Sequence, residues 1–219
     1  MSRSTFVMMT ENALTYLRLA PKDWANHPDQ FAIKVYTAIE LFLKARLLSE
    51  HWSLIITKDA TLAKFRSGDF VSVPFEEAAK RLKVIVDEPL PDSSLAAFDE
   101  LRKYRNKVVH FGLENSGSSV EQIARDIATR TLALDAWREL QGLIHGPWSV
   151  IFEEFGDEMV RIEGIMARTA ATVGPDGRFR MQKEETEAPA PRDWFAPLVD
   201  PAVQAEEDRK LAEEDGDLP

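Results

Sequence analysis

Cysteine is missing altogether from these 219 residues. That absence removes disulfide frameworks, thiol nucleophiles and cysteine-based zinc sites together. No apolar run approaches the roughly 20 residues needed to cross a bilayer. The N-terminus carries one arginine and a short Phe6-Val7-Met8-Met9 cluster, without the apolar core and small-residue cleavage site of a secretory signal. The expectation is a soluble cytoplasmic protein with no membrane partner. Glycine-rich phosphate loops, paired-histidine zinc spacing and serine-nucleophile motifs are missing too. Basic residues are in the minority, 27 against 37 acidic ones, for a net charge of −10. Taken whole, that charge argues against a nucleic-acid partner. Its distribution weakens the objection: residues 181–219 hold twelve acidic and four basic side chains, so eight of the ten net negative charges lie there. The rest of the chain is nearly neutral, and local basic clusters can still attract phosphate.

What is present reads as a helical body. Hydrophobic content of 44% and charged content of 29% are globular values. A first helix is expected over Thr10–Leu19, with Thr10 as cap and Pro21 just beyond. A long second one runs from Pro28 to Ser49, where Phe31, Val35, Ala38, Ile39, Phe42, Ala45 and Leu47 recur at buried-face spacing. The stretch His51–Val73 is irregular, with a Ser67-Gly68-Asp69 turn and room for short extended pieces. A third helix starts near Pro74 and continues to Ile85. A fourth is capped by Asp92 or Ser93 and should stop at Gly112. The fifth has the clearest start, a Ser118-x-x-Glu121 capping box, and closes at Gly142 or Gly146. Pro147 then opens a sixth, from Trp148 to about Ile165. The fold class expected is all-α, a bundle of five to six helices over residues 1–170. Residues 171–219 are expected to hold a short hairpin, Ala167–Val173 against Arg178–Gln182, followed by an acidic flexible tail with one apolar island at Trp194.

One segment has the means for chemistry: Arg102-Lys103-Tyr104-Arg105-Asn106-Lys107-Val108-Val109-His110. It sets a guanidinium, an amide and an imidazole within six residues near a helix end. Asn106 and His110 are four apart and so share a helix face. Arg105 is rotated away, but its long side chain can reach a phosphate the other two also meet.

The spacing of Arg105, four residues, then His110 resembles the arginine–histidine signature of the HEPN superfamily (higher eukaryotes and prokaryotes nucleotide-binding). Arg46/His51 and Arg138/His145 have comparable spacing, and are most simply helix-end residues. Three features single out Arg105/His110: Asn106 directly follows the arginine, the pair sits late on the second long helix, and Ala38-Ile39-Glu40-Leu41-Phe42-Leu43-Lys44-Ala45 is similar to the family's pattern on the preceding long helix. The resemblance covers roughly Thr10 to His145. In one respect the chain departs from it: Gly112 stands where many of the family's toxins have a tyrosine, which puts regulation by tyrosine modification in doubt.

The resemblance implies an endoribonuclease, a toxin or an effector of antiphage defence. RNA transesterification suits the groups present. His110 serves as general base or acid, Arg105 neutralises charge on the phosphoryl oxygens, and Asn106 orients one or the other. Arg102, Lys103 and Lys107 would attract the RNA backbone. Glu40 and Lys44, an ordinary ion pair by spacing, are in the family's pattern supports of the site, with Glu40 approaching Arg105. No metal or cofactor is expected. One imidazole cannot be both acid and base, so a homodimer with a composite site is expected, with a possible antitoxin or regulatory protein as a further partner. The alternative is a non-catalytic HEPN module that binds a nucleotide, RNA or a protein, in which His110 only closes its helix.

Overall fold

The computed structural model describes residues 2–111 and 118–172. The chain divides into two units, residues 1–181 and 182–219, and the second lies outside the described residues. Seven α-helices make up the described part of the first: α1 (Ser2–Leu19), α2 (Pro28–Glu50), α3 (Leu62–Ser67), α4 (Phe75–Val84), α5 (Asp92–Phe111), α6 (Ser119–His145) and α7 (Gly156–Thr172). The all-α class expected from the sequence is the class found. No strand occurs among the described residues; the extended pieces between His51 and Val73 amount to one antiparallel bridge, Ile56 to Ser72.

Helix α2 is the axis of the bundle and packs against α1, α4, α5 and α6. The reason is in its last two turns, where every residue from Phe42 to Leu48 is buried. A helix apolar on one face alone can stay at a surface; one buried all round must be enclosed by its neighbours. Two cations fall within that run, and both are paired. Lys44 binds Glu40 Oε1 at 2.7 Å and Ser72 Oγ at 3.0 Å. Arg46 binds Glu88 Oε2 at 2.8 Å and Glu50 Oε1 at 2.7 Å, tying α2 to the segment between α4 and α5.

The boundaries differ from expectation where distant contacts decide. α1 begins eight residues early, because Phe6 stacks on Phe152 with ring centroids 5.5 Å apart and so holds its first turns against a part of the chain remote in sequence. The Ser67-Gly68-Asp69 turn closes a short helix, α3, which Thr61 caps and Gly68 ends at φ 75°. At the start of α5 the Pro91 carbonyl, not Asp92 or Ser93, receives the first helical hydrogen bond, from Leu95 N–H. Ser93 and Ser94 instead donate to Glu139 Oε2 on α6, at 3.0 and 2.6 Å. The capping box at Ser118 forms as expected, with both of its bonds. After it, Pro147 opens no helix. Trp148 N–H turns back to the Leu143 carbonyl, its ring is buried, and α7 starts only at Gly156. Residues 167–172, expected as a strand, continue α7; the remainder of the expected hairpin, the tail and Gly112 lie outside the described residues.

Candidate active site at the end of α5

Helix α5 enters the core with Phe98 and Leu101, both fully buried, and leaves it through its C-terminal half. Arg105 and Val108 follow on the same stripe at helical spacing but are only half-buried. The last turn stands in solvent: His110 is exposed, Val109 is 51% exposed and Phe111 is 86% exposed. The imidazole touches the Phe111 ring edgewise, centroids 6.5 Å apart, and makes no hydrogen bond to any described residue. Such a ring is available to a ligand.

The Arg105 guanidinium lies over the Tyr36 ring, 5.9 Å from its centroid, and donates from Nη1 to Asn106 Oδ1 at 3.0 Å. Its Nε is buried and has no partner among the described residues. The structure thus joins Arg105 to Asn106 directly, and sets His110 one turn beyond Asn106 on the same helix face. A guanidinium held by an amide and an aromatic face, rather than a carboxylate, keeps its full charge for an anion.

Glu40 does not pair with Arg105. It binds Lys44, while Arg105 lies over the ring of Tyr36, one turn before Glu40 on α2. The Tyr36 phenol is pushed well above its usual 10.0, first by burial, then by Glu40; Arg102 and Arg105 act in the opposite sense, and Glu76 raises it further. Glu40, Glu76, Arg102 and Arg105 thus all act electrostatically on this one buried phenol. Sequence reasoning passed over Tyr36 and Glu76. Tyr36 was within reach, since Tyr36, Glu40 and Lys44 recur every four residues and so fall on one face of α2. Glu76 was not, because only the fold brings α4 to Arg102.

The basic candidates divide. Arg102 is held by Glu76 Oε1 at 2.8 Å and Asp99 Oδ1 at 2.8 Å, and Lys103 by Asp99 Oδ2 at 2.7 Å. Hydrogen bonds from Lys103 and Arg102 in turn keep the Asp99 carboxyl below the usual carboxylate range. Lys107 is exposed and has no ion-pair partner among the described residues, so it is the basic side chain most open to a phosphate. Tyr104, on the neighbouring face, is half-buried. Its hydroxyl donates to Asp29 Oδ1 and accepts from Thr129 Oγ1 at 2.9 Å. Burial, then the bond to Asp29, raises its pKa as well.

These two phenols make a prediction. The folded chain holds their protons more tightly than the unfolded chain, whose tyrosines ionise near 10.0. Their contribution to stability is therefore complete below that value and is lost progressively as pH rises above it toward the raised values of the folded chain. Urea midpoints taken at about pH 8 and about pH 11 should fall further for the wild type than for Tyr36→Phe or Tyr104→Phe. An equal fall in all three proteins would contradict the assignment.

The other two arginine–histidine pairs are occupied elsewhere. Arg46 is buried in its ion pairs, and His51 Nδ1 accepts from Ser53 N–H at 3.3 Å at the start of a short 3-10 turn. Arg138 binds Asp135 at 2.7 Å, and His145 Nε2 meets Glu163 Oε1 at 2.5 Å, which joins α6 to α7. Of the three, only the pair on α5 combines an exposed imidazole with a guanidinium lacking a carboxylate partner among the described residues.

Among the described residues no group of three or more His, Asp or Glu side chains is arranged to hold a metal ion, and no helix is long and apolar enough to cross a membrane. The chain matches no family model, no curated protein and no solved structure.

Proposed function

We propose that this chain is a metal-independent endoribonuclease of HEPN type, acting in the cytoplasm as a toxin or as an effector of antiphage defence. One observation carries the reading: an exposed His110, without a hydrogen bond among the described residues, one turn beyond an Asn106 that is itself hydrogen-bonded to Arg105. The biological role comes from the resemblance alone.

The reaction suited to these groups is attack of a ribose 2′-hydroxyl on the adjacent phosphorus. The P–O5′ bond breaks, leaving a 2′,3′-cyclic phosphate and a 5′-hydroxyl. His110 takes the 2′-hydroxyl proton or returns one to the leaving oxygen. Arg105 meets the negative charge that grows on the non-bridging oxygens. With its Oδ1 engaged by Arg105, Asn106 has Nδ2 left to donate to a phosphate oxygen. Lys107 draws the backbone in, and the need for a 2′-hydroxyl makes RNA, not DNA, the substrate. Glu40 and Lys44 support the site from α2 through Tyr36.

Both an acid and a base are required, and each chain brings one histidine, His110, to this site. A two-fold dimer across the end of α5 supplies the second. Val109 and Phe111, with Val120 in the first turn of α6 at 73% exposed, give that region the apolar character of an interface core. Phe111→Asp should convert a dimer to a monomer in sedimentation velocity and abolish cleavage while leaving the melting temperature nearly unchanged. A wild-type monomer that still cuts RNA at micromolar concentration would refute the composite site. The non-catalytic reading, with His110 structural, is less well supported, because an exposed ring without a hydrogen bond contributes little to a fold. Whether an antitoxin or another regulator restrains the activity belongs to the same proposal.

A further inference from the structure

Beside the catalytic candidates, between α5, α6 and the first turn of α2, lies a recess of about 230 Å³. Tyr104 and Lys107 line it from α5, Asp29 from α2, and Gln122, Arg125, Asp126 and Thr129 from α6. It is smaller than the roughly 300–1,000 Å³ of a pocket for a drug-sized ligand, which suits a single ring system better than a whole nucleotide. Three of its side chains form a polar chain: Arg125 Nη2 donates to Gln122 Oε1 at 2.7 Å, and Gln122 Nε2 donates to Asp126 Oδ1 at 2.7 Å. Gln122 thus holds a guanidinium and a carboxylate next to each other. Tyr104 adds part of an aromatic ring, fixed through its hydroxyl by Asp29 and Thr129.

We infer that this recess holds the guanine base of the nucleotide next to the scissile phosphate, with Asp126 and Arg125 reading its edge. The inference rests on the ribonuclease reading above and names the base that site selects. Guanine carries two adjacent donors, N1–H and the N2 amino group, followed by an acceptor at O6. A carboxylate takes the two donors, and a neighbouring cation donates to O6. Adenine has no such adjacent donor pair, and uracil and cytosine have the wrong order of groups. Unpaired RNA bases are read in this way, splayed out, stacked on an aromatic ring and bonded on the Watson–Crick edge. The position fits the chemistry. Tyr104 and Lys107 in the recess flank Arg105 and Asn106 in sequence, and His110 is one turn from Lys107, about 4.5 Å further along the helix axis. A base seated here brings its sugar–phosphate past Lys107 to the imidazole.

The test uses the full-length protein labelled with ¹⁵N and the four ribonucleoside 5′-monophosphates as probes. GMP should shift the amide resonances of Gln122, Asp126 and Thr129, and should bind roughly tenfold or more tightly than AMP, CMP or UMP, the discrimination of one bidentate base contact. Asp126→Asn, checked for an unchanged melt, should lose that preference. Arg125→Ala provides a second variant, expected to weaken GMP binding without removing a carboxylate. Equal shifts from all four nucleotides, none from any, or a GMP preference that survives in Asp126→Asn would overturn the inference. The two readings fail separately. RNA cut without regard to base removes the guanine pocket and leaves the nuclease. GMP bound by the wild type but not by Asp126→Asn, with no RNA cut, keeps the pocket and removes the nuclease.

Discussion

Replacing His110 with alanine is expected to lower the rate of RNA cleavage by about 10² to 10⁴-fold, the range for loss of a general acid–base group, and in a shared dimer site to push it below detection. The fold should stand. The ring is exposed and its one described contact is the edge of Phe111, and a surface change of this kind moves stability by no more than about 0.5 kcal/mol. Activity and melting temperature thus separate in one protein. A structural histidine gives the reverse pattern, a lowered melt in a protein that cut nothing to begin with. Arg105→Lys sharpens the comparison, because it keeps the charge but loses the fork that reaches both Asn106 and a phosphate. It should remain folded and cut poorly. A lysine variant as active as the wild type would mean that Arg105 acts only as a general positive charge.

The largest effect on stability should come from a different arginine. Arg130 on α6 is 1% exposed. Its Nε donates to the Trp24 carbonyl at 2.7 Å and its Nη2 to the Ala25 carbonyl at 2.9 Å, and its guanidinium lies 5.9 Å from the Trp24 ring centroid. Nη1 has no partner among the described residues. These bonds fasten α6 to the turn that joins α1 to α2. Two effects compete when the side chain is removed. Loss of a buried charge with incomplete partners relieves a cost. Against that, two backbone carbonyls lose charge-assisted donors, each about 1.5–3 kcal/mol. Truncation also enlarges a recess of about 240 Å³ that already borders Arg130, so the gap does not refill. The losses dominate. Arg130→Ala should cost about 3 kcal/mol or more, a fall in melting temperature of roughly 6–12 °C for a domain of this size. Arg130→Met keeps most of the volume and should cost less, but still destabilise. A methionine variant more stable than the wild type would show that burying the charge outweighs the bonds it makes.

Local signals and long-range contacts account for what could be read from the sequence and what could not. The Ser118-x-x-Glu121 box was legible because both partners lie within one turn, and both of its bonds form. The course of α2 was legible from its apolar spacing, but its burial all round was not, since Lys44 and Arg46 look like surface residues until Ser72 and Glu88 are brought to them. The first turns of α1 carry no start signal; Phe6 is helical because Phe152, far along the chain, receives it. Pro147 misled for the opposite reason. Its local signal favours a helix start, yet the buried Trp148 pulls the chain into a turn. In the candidate site, Arg105, Asn106 and His110 could be grouped from the sequence because six residues of one helix set their spacing. The surroundings were beyond reach: Glu40 near Tyr36 instead of on Arg105, Arg102 and Lys103 engaged by Asp99, and the recess between α5 and α6 all depend on which helices meet.

Cleavage of a defined RNA by the purified wild-type protein in excess EDTA, with the new ends identified by mass spectrometry, tests the ribonuclease proposal most directly. The mechanism requires 2′,3′-cyclic phosphate and 5′-hydroxyl ends, with the DNA of the same sequence untouched and the His110→Ala protein inert. Intact RNA after prolonged incubation with the folded wild type, or 5′-phosphate ends formed only when a divalent cation is restored, would contradict it.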